Sequence, residues 1–525
     1  MFRSAEGIRR LAIGDIIQRN ARRYPDRIAI VDGEKHISFS EMENICNQFA
    51  HFLLEQGLKK GDRVACVCQN SAEFLFVMYG IAKAGLVWVP ITPVLAPADI
   101  EYIIDHSDAR ALVVDDVLYP HVAALLPSLS QVETVVTIPL SGADLPGSTL
   151  SFPNAITGHP VHEPDADIHS DDLISIMYTS GTTGRPKGVM HDHVSVYVAA
   201  LGNIIEGEMT KDDVVTCMLP LFHCAQHVVT MSALAVGAAS VVLRGFDPTA
   251  FFTAVDKEKI SWMVGLPIMY KTMLDHPEAG NYDLSSLRYC LYAMAAMDEG
   301  TLRRAIDRFG ARFALGTGQT EVYPSTMYFK PEEQLRRFGP YWGISSLTVD
   351  TALMDDEGNL LSQGQIGEIV HQGPNVMKGY WKNEQATEQV QTFGWHHTGD
   401  LGVFDPDGQL IFIGRKKDMI KTGGENVPAG KVENVILNDS RVANAAVVGL
   451  PHEHWGEAVT AFVIPKPGTL LTGEEIINGC KKELAGFEIP KAVVILNQFP
   501  MTATGKIQKH VLKETYVKYY AAMET

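Results

Sequence analysis

Five stretches of the chain place polar and charged residues where phosphate chemistry could use them. The first, YTSGTTGRPKG, follows the apolar run LISIM. Thr179, Ser180, Thr182 and Thr183 supply hydroxyl donors, and Gly181 and Gly184 let backbone N–H groups turn toward one point. Lys187 adds a cation. A nest of this kind suits polyphosphate oxygens. It is not the common nucleotide loop, which needs a Lys followed by Ser or Thr. Here Gly188 follows Lys187, and Gly181 and Gly184 are only three positions apart.

The second stretch, LGTGQTEVYP, holds Thr317, Gly318, Gln319, Thr320 and Glu321. Its carboxylate is the hard oxygen ligand that Mg2+ prefers. The third, GWHHTGDLG, ends in Asp400, where one carboxylate can accept both hydroxyls of a ribose diol on a turn set by Thr398 and Gly399. In the fourth, GRKKDMIK, Arg415 is expected to end a β-hairpin and Lys417 to begin a hinge. The fifth, PMTATGKIQK, sets Lys506 on a glycine turn. Each stretch alone also has a plainer reading: a Gly-rich surface turn, a polar loop, an Asp in a tight turn, or a solvated lysine.

The chain that must position these residues has 525 of them, too many for one ordinary core, so two or more domains are expected. Apolar residues at 46% and charged residues at 20% are those of a globular protein. A formal charge of −18 argues against a nucleic-acid partner and against an anionic membrane surface. It leaves room for anionic small molecules, because a local basic pocket is screened from distant charge beyond about 10 Å. The seven cysteines have no disulfide or metal spacing. Cys66 and Cys68 share a strand face with Val64, which reads as a buried strand in a reducing compartment rather than a redox or metal pair. The N-terminus lacks a signal-peptide core, and Glu6 and Asp15 spoil a transit peptide. The apolar run from Phe74 to Ile91 carries Gly80, Lys83, Gly85 and Pro90, so it reads as a helix and a strand of a core. No transmembrane segment and a cytoplasmic location are expected.

Helix and strand patterns alternate through the N-terminal part. SFSEMENICNQFAHFLLEQG carries a capping box, Ser40 to Glu43, ahead of apolar residues at helical spacing and a stop at Gly57. The strand DRVACV, the Phe74 helix and the strand LVWVPI follow. Such alternation predicts parallel sheets covered by helices. Residues 138–172 read as a long connection. Short strands from about Thr348 predict a β-rich subdomain, and a compact α+β unit follows the hinge at Lys417. The expected fold is thus α/β, with an N-terminal domain over 1–416 and a small mobile α+β domain over 417–525.

Taken in order, the five stretches resemble the motifs of the adenylate-forming superfamily of acyl-CoA synthetases, adenylation domains and firefly luciferase. LPLFH before Cys224, GEIVHQGPNVMKGYW and LPHEHWGEAVTAFV fit the same family, so the resemblance covers essentially the whole chain. It implies activation of a carboxylic acid by ATP and Mg2+, release of pyrophosphate, and attack of a thiol on the acyl-adenylate. On that resemblance the segment from Thr179 to Lys187 orients pyrophosphate, Glu321 holds Mg2+, Asp400 binds the ribose and Arg415 supports the nucleotide. Lys506 bridges carboxylate and α-phosphate. Lys417 marks the hinge of a rotating C-terminal domain, and Gly423 and Gly424 face the pantetheine tunnel after rotation. His223 is expected near the carboxylate end of the acyl site.

Departures from the family pattern concern the substrate more than the chemistry. Thr317 replaces the aromatic that usually lies against adenine, so Tyr292 or Tyr323 is expected to stack instead. Met294 stands where a glycine often opens the acyl pocket, which predicts a shortened or reshaped one. Cys224, Gln226 and His227 make the segment after LPLFH more polar than an alkyl channel. NVPAGKVE departs from the usual NVYPAEVE and leaves the local backbone path open. The expected activity is a ligase joining a medium-chain, branched or aromatic acid to coenzyme A. Loading of a carrier-protein pantetheine and a catalytically silent nucleotide-binding protein are the alternatives. A homodimer is compatible with the sequence.

Overall fold

The computed structural model describes residues 9–142, 149–179, 185–293, 295–324, 326–501 and 507–521. Packing divides the chain into two compact units, one ending at Thr351 and including His371–His396, the other formed by Ala352–Val370 and the chain from His397 onward. Lys417 lies within the second unit.

The first unit is built on two helix-covered sheets. In one, strands follow the spatial order Gly379–Tyr380, Lys187–Asp192, Leu173–Thr179, Val87–Pro90, Arg63–Val67, Ala109–Asp115, Thr134–Ile138 and Leu150–Ser151. The pairs inside this sheet are parallel, and only Leu173–Thr179, Lys187–Asp192 and Gly379–Tyr380 meet antiparallel. Strands buried on both faces explain the unbroken apolar runs of the sequence. Val64, Cys66 and Cys68 enter one core cluster, whereas Ala65 and Val67 enter another on the opposite face. All seven cysteines are buried and free.

The second sheet runs Tyr341–Ser345, Met327–Phe329, Arg312–Thr317, Tyr289–Ala293, Trp262–Gly265, Val214–Cys217, Ala239–Val242, Ile28–Asp32 and Lys35–Ser38. Its middle is parallel, and the Ile28–Asp32 strand turns back on Lys35–Ser38.

The apolar run from Phe74 divides as expected into the helix Ala72–Lys83, buried almost all round, and the strand Val87–Pro90. The capping box sits two residues earlier than expected. The helix is Phe39–Glu55, and Ser38 and Glu41 bond reciprocally at its N-terminus. Glu43 instead points inward, accepting from Lys83 Nζ at 2.8 Å and from Asn47 Nδ2 at 3.0 Å. The stretch 138–172 is not entirely irregular: it contains Leu150–Ser151 and a short helix, Phe152–Ile156, capped by Ser151. A five-residue helix burying only Phe152 and Ala155 carries too little periodicity to be seen in sequence.

In the second unit, the strand segments 367–370, 397–404 and 410–415 lie side by side. Beyond them, Glu425–Pro428, Met419–Thr422, Gly456–Pro465 and Val442–His452 form a sheet in that order, with Ala492–Ile495 parallel to Gly456–Pro465. Helices Ala429–Leu437 and Gly473–Cys480 pack a core of Ile420, Val432, Val447, Val459 and Ile476. The NVPAGKVE segment continues regularly from the Glu425–Pro428 strand into the Ala429–Leu437 helix.

Candidate active site

The described ends of the first polar stretch lie on two antiparallel strands. Thr179 closes one strand, Lys187 opens the next, and the two residues face each other in register. Ser180, Gly181, Thr182, Thr183 and Gly184 lie outside the described residues, as do Met294 and Lys506. The glycine after Lys187 has a local cause. A Cβ at Gly188 would lie 2.7 Å from Ile176 Cγ2 and 3.0 Å from the Tyr178 ring. A Ser or Thr there would crowd both side chains, which gives the glycine at 188 a packing reason.

The Lys187 ammonium stands 4.1 Å from the centroid of the Tyr380 ring. Tyr380 reaches this place because Gly379–Tyr380 pairs with the strand that carries Lys187, Tyr380 opposite Val189. Its hydroxyl donates to Glu321 Oε1 at 2.9 Å, and the Met377 N–H donates to the Glu321 carbonyl at 2.8 Å. Burial, and then the neighbouring Glu321 carboxylate, push the Tyr380 phenol well above its ordinary range, so it remains a donor.

Glu321 follows the strand Arg312–Thr317 through a tight turn. A Cβ at Gly318 would fall 2.7 Å from Pro324 Cβ, which restricts that position to glycine. The Thr320 carbonyl accepts from His191 Nε2 at 2.6 Å. His191 is fully buried, and burial outweighs that bond and lowers its pKa to about 4. It is therefore a neutral strut between the hairpin and the turn. Thr320 Oγ1 lies 3.6 Å from Cys224 Sγ. Burial pushes the Cys224 thiol up to about 12, so it is no thiolate nucleophile.

His223 caps the helix Cys224–Val236, its Nδ1 accepting from the Ala225 N–H at 3.2 Å. That bond leaves the proton of the neutral ring on Nε2. The ring is exposed, unlike a core histidine. His227 is different. It is buried, bonded through Nδ1 to the Tyr323 hydroxyl, and 4.7 Å from the Trp88 ring; burial lowers its pKa to about 3. Gln226, expected to add polarity to the acyl segment, turns away: its amide bonds Leu219, Thr216 and Thr230.

The stacking expectation is not met. Tyr323 is 0% exposed against His191 and His227, and Tyr292 is 2% exposed with its hydroxyl on Gln334. Each ring is enclosed by its own packing and presents no face to a ligand. Thr317 places its Oγ1 in a buried position with no partner among the described residues.

The second unit carries its own polar cluster. Asp400 faces Arg415 across the hairpin, with Arg415 Nε 2.9 Å from Asp400 Oδ1. The Asp400 side chain is 4% exposed and that of Arg415 47% exposed, so the carboxylate is held from below and the guanidinium faces outward. Glu368, which the motif reading did not single out, organises the turn. It accepts from the Gly399 N–H at 2.9 Å, from Lys416 Nζ at 2.8 Å and from His397 Nδ1 at 3.1 Å. Burial alone would raise its pKa, but these donors outweigh burial and hold it below the usual range. A shallow cleft is lined by Thr398, Gly399, Arg415, Lys416 and Lys417.

Gly423 and Gly424 make the two-residue turn between Met419–Thr422 and Glu425–Pro428, with φ of +58° and +86°. Two positive φ values in a two-residue hairpin favour glycine strongly. A Cβ at Gly423 would also meet Trp455 Cε3 at 2.9 Å.

Among the described residues no group of three or more His, Cys, Asp or Glu could hold a metal unaided. A lone carboxylate with one oxygen bonded to a phenol still fits Mg2+, which keeps waters and takes further ligands from substrate phosphates.

Comparison with known proteins agrees with these motifs. The family model described as AMP-binding enzyme matches residues 17–381, and that of the AMP-binding enzyme C-terminal domain matches 431–506. The feruloyl-CoA synthase of Amycolatopsis sp is 32% identical over 97% of this chain and 100% of its own length. The 4-hydroxybutyrate–CoA ligase 2 of Metallosphaera sedula is 33% identical over 95% of this chain and 93% of its own. Among solved structures, ATP-bound MatB from Rhodopseudomonas palustris superposes with a TM-score of 0.86 at 29% identity, covering 97% of this chain and 99% of that one. The chain therefore belongs to the AMP-binding enzyme family and is an adenylate-forming, AMP-forming carboxylate:CoA ligase.

Proposed function

We propose that this ligase activates a medium-chain, branched or aromatic acid, using Mg2+ with ATP and free coenzyme A as acceptor. In the first step a carboxylate oxygen attacks the α-phosphorus, the bond to the β-phosphate oxygen breaks, and pyrophosphate leaves. In the second the coenzyme A thiol attacks the acyl carbonyl, loses its proton and expels AMP. Two anions meet in the first step, so catalysis is mostly alignment and charge neutralisation.

The observation that supports this reading is the continuous chain of contacts from Lys187 through Tyr380 to Glu321, and from Thr320 to Cys224 beside His223. It joins the phosphate-loop lysine, the metal-ligand candidate and the start of the acyl segment in one neighbourhood. Lys187 and the hydroxyls from Thr179 to Thr183 would hold the leaving pyrophosphate. Glu321 would hold Mg2+, which supplies charge neutralisation at the phosphates. Asp400 would take the ribose diol and Arg415 the nucleotide, and Lys506 would bridge carboxylate and α-phosphate. Lys417 is proposed as the hinge residue, and Gly423 and Gly424 as the edge of the pantetheine path. With Gln226 engaged by Leu219, Thr216 and Thr230, exposed His223 would carry most of the polarity that favours an acid with a polar or aromatic body, and the buried Cys224 and His227 would add to it. The relatives named for ferulate and for 4-hydroxybutyrate lean the same way.

A panel of aliphatic, branched, hydroxylated and aromatic acids, scored by kcat/KM for pyrophosphate release with and without coenzyme A, tests this reading. Acid-dependent release followed by thioester formation is expected. Release without thioester would favour a carrier-protein acceptor, and no release from any acid would favour a silent nucleotide binder.

A further inference from the structure

We infer that Tyr380 is a positioning residue for ATP binding, setting the cation and the anion of the phosphate site from one side chain; this rests on the ligase reading above. Its ring carries the Lys187 ammonium 4.1 Å from the centroid, and its hydroxyl bonds Glu321 Oε1 at 2.9 Å. The two partners lie more than a hundred residues apart in sequence and on different elements, and Tyr380 comes from a third.

The placement of Tyr380 is tightly determined. Gly379 and Tyr380 pair with Met190 and Val189, the Tyr380 N–H donates to Thr387 Oγ1 at 2.9 Å, and the Trp381 N–H donates to the Gly188 carbonyl at 2.7 Å. The side chain is 4% exposed and packs with Val189 and Met377. A ring held this firmly can hold others. Lysine has four rotatable side-chain bonds, and lodging its ammonium on a fixed aromatic face removes freedom that phosphate binding would otherwise have to freeze. The phenol occupies one Glu321 oxygen and sets the carboxylate plane, which leaves the second oxygen for a metal. A phenylalanine would serve Lys187 equally well but not Glu321, so the two functions separate by mutation.

The test uses the full-length protein and calorimetric titration of ATP, once in chelator and once with Mg2+. Tyr380→Phe should leave metal-free ATP affinity within about twofold of wild type and reduce the Mg2+-dependent gain by about threefold to tenfold, the scale of coupling between contacting groups. Tyr380→Leu should weaken metal-free ATP binding as well, by about threefold to tenfold, because Lys187 loses its platform. In a Glu321→Gln background Tyr380→Phe should cause no further loss, since the carboxylate it positions is gone. A purely structural Tyr380 would lower thermal stability and weaken both titrations equally, and the effects of Tyr380→Phe and Glu321→Gln would multiply. Either result overturns the inference, as does a Tyr380→Phe protein with the wild-type Mg2+ gain. If wild type forms acyl-adenylate normally while that variant matches it, only the inference fails; if wild type binds no ATP, the ligase reading fails with it.

Discussion

His191 Nε2 donates to the Thr320 carbonyl at 2.6 Å, tying the strand that begins with Lys187 to the turn that carries Glu321. The bond joins residues 129 positions apart and requires a proton on His191 Nε2, with Nδ1 toward Ser195 Oγ at 3.3 Å. The site is thus supported by a buried histidine that burial prevents from charging.

A pH dependence of stability follows from that burial. The folded-state pKa values are lowered to about 4 for His191 and His193 and to about 3 for His227 and His371. An unfolded histidine takes a proton near pH 6.5, so between there and pH 4 the unfolded state binds more protons. Stability contributed by these neutral rings is present above pH 6.5 and lost as pH falls toward 4, by on the order of 1 kcal/mol per pH unit for each group. Urea midpoints measured from pH 7.5 to 4.5 should fall steadily below pH 6.5. A flat profile would remove the argument.

Gly188→Ser restores the Lys-Ser pair of the common nucleotide loop and should harm this protein. The new Cβ lies 2.7 Å from Ile176 Cγ2, in a strand pair that is otherwise closed. Overpacking of this kind costs about 1–3 kcal/mol. A lowered melting temperature and impaired pyrophosphate release are expected. Unchanged stability would mean that the strand pair has slack.

Glu368→Gln keeps the shape and removes the charge that collects Lys416, His397 and the Gly399 N–H. Because Lys416 is 44% exposed, solvent screening limits the loss to about 1–3 kcal/mol. ATP affinity should drop severalfold, since the turn positions Asp400. Calorimetry on the purified variant checks this, and wild-type affinity would release Glu368 from the assigned role.

The two turn glycines should differ. Gly423→Ala meets both a φ of +58° and the Trp455 ring at 2.9 Å, whereas Gly424→Ala meets only a φ of +86° in open space. Losses of about 2 and about 1 kcal/mol are expected. If Gly423 also borders the pantetheine path, its alanine variant should slow thioester formation more than adenylation. Stopped-flow measurement of the two half-reactions separates these effects, and equal slowing would leave Gly423 with a turn role only.

Much of this was legible because the motif residues are contiguous and their elements alternate clearly. Thr179, Lys187, Glu321, Asp400 and Arg415 can all be named from local stretches. Their supports cannot. Tyr380, His191 and Glu368 act through strand pairs and carbonyls of distant segments, and nothing in KGYW, VMHDH or GEIV reveals those partners. The capping box shows the limit on a small scale. Ser38-x-x-Glu41 and Ser40-x-x-Glu43 fit the same signature, and the choice is made by Lys83, which draws Glu43 into the core. Tyr292 and Tyr323 were plausible stacking faces by type, but burial is a property of the packed core and not of the residue.

Two-step, AMP-forming chemistry on an acid is tested most directly by a single-turnover reaction. Enzyme in excess, ATP, Mg2+ and an acid without coenzyme A should give one equivalent each of acyl-adenylate and pyrophosphate by mass spectrometry. Addition of coenzyme A should then convert the adenylate to thioester and AMP. Formation of ADP and phosphate, or no pyrophosphate from any acid, would contradict the account.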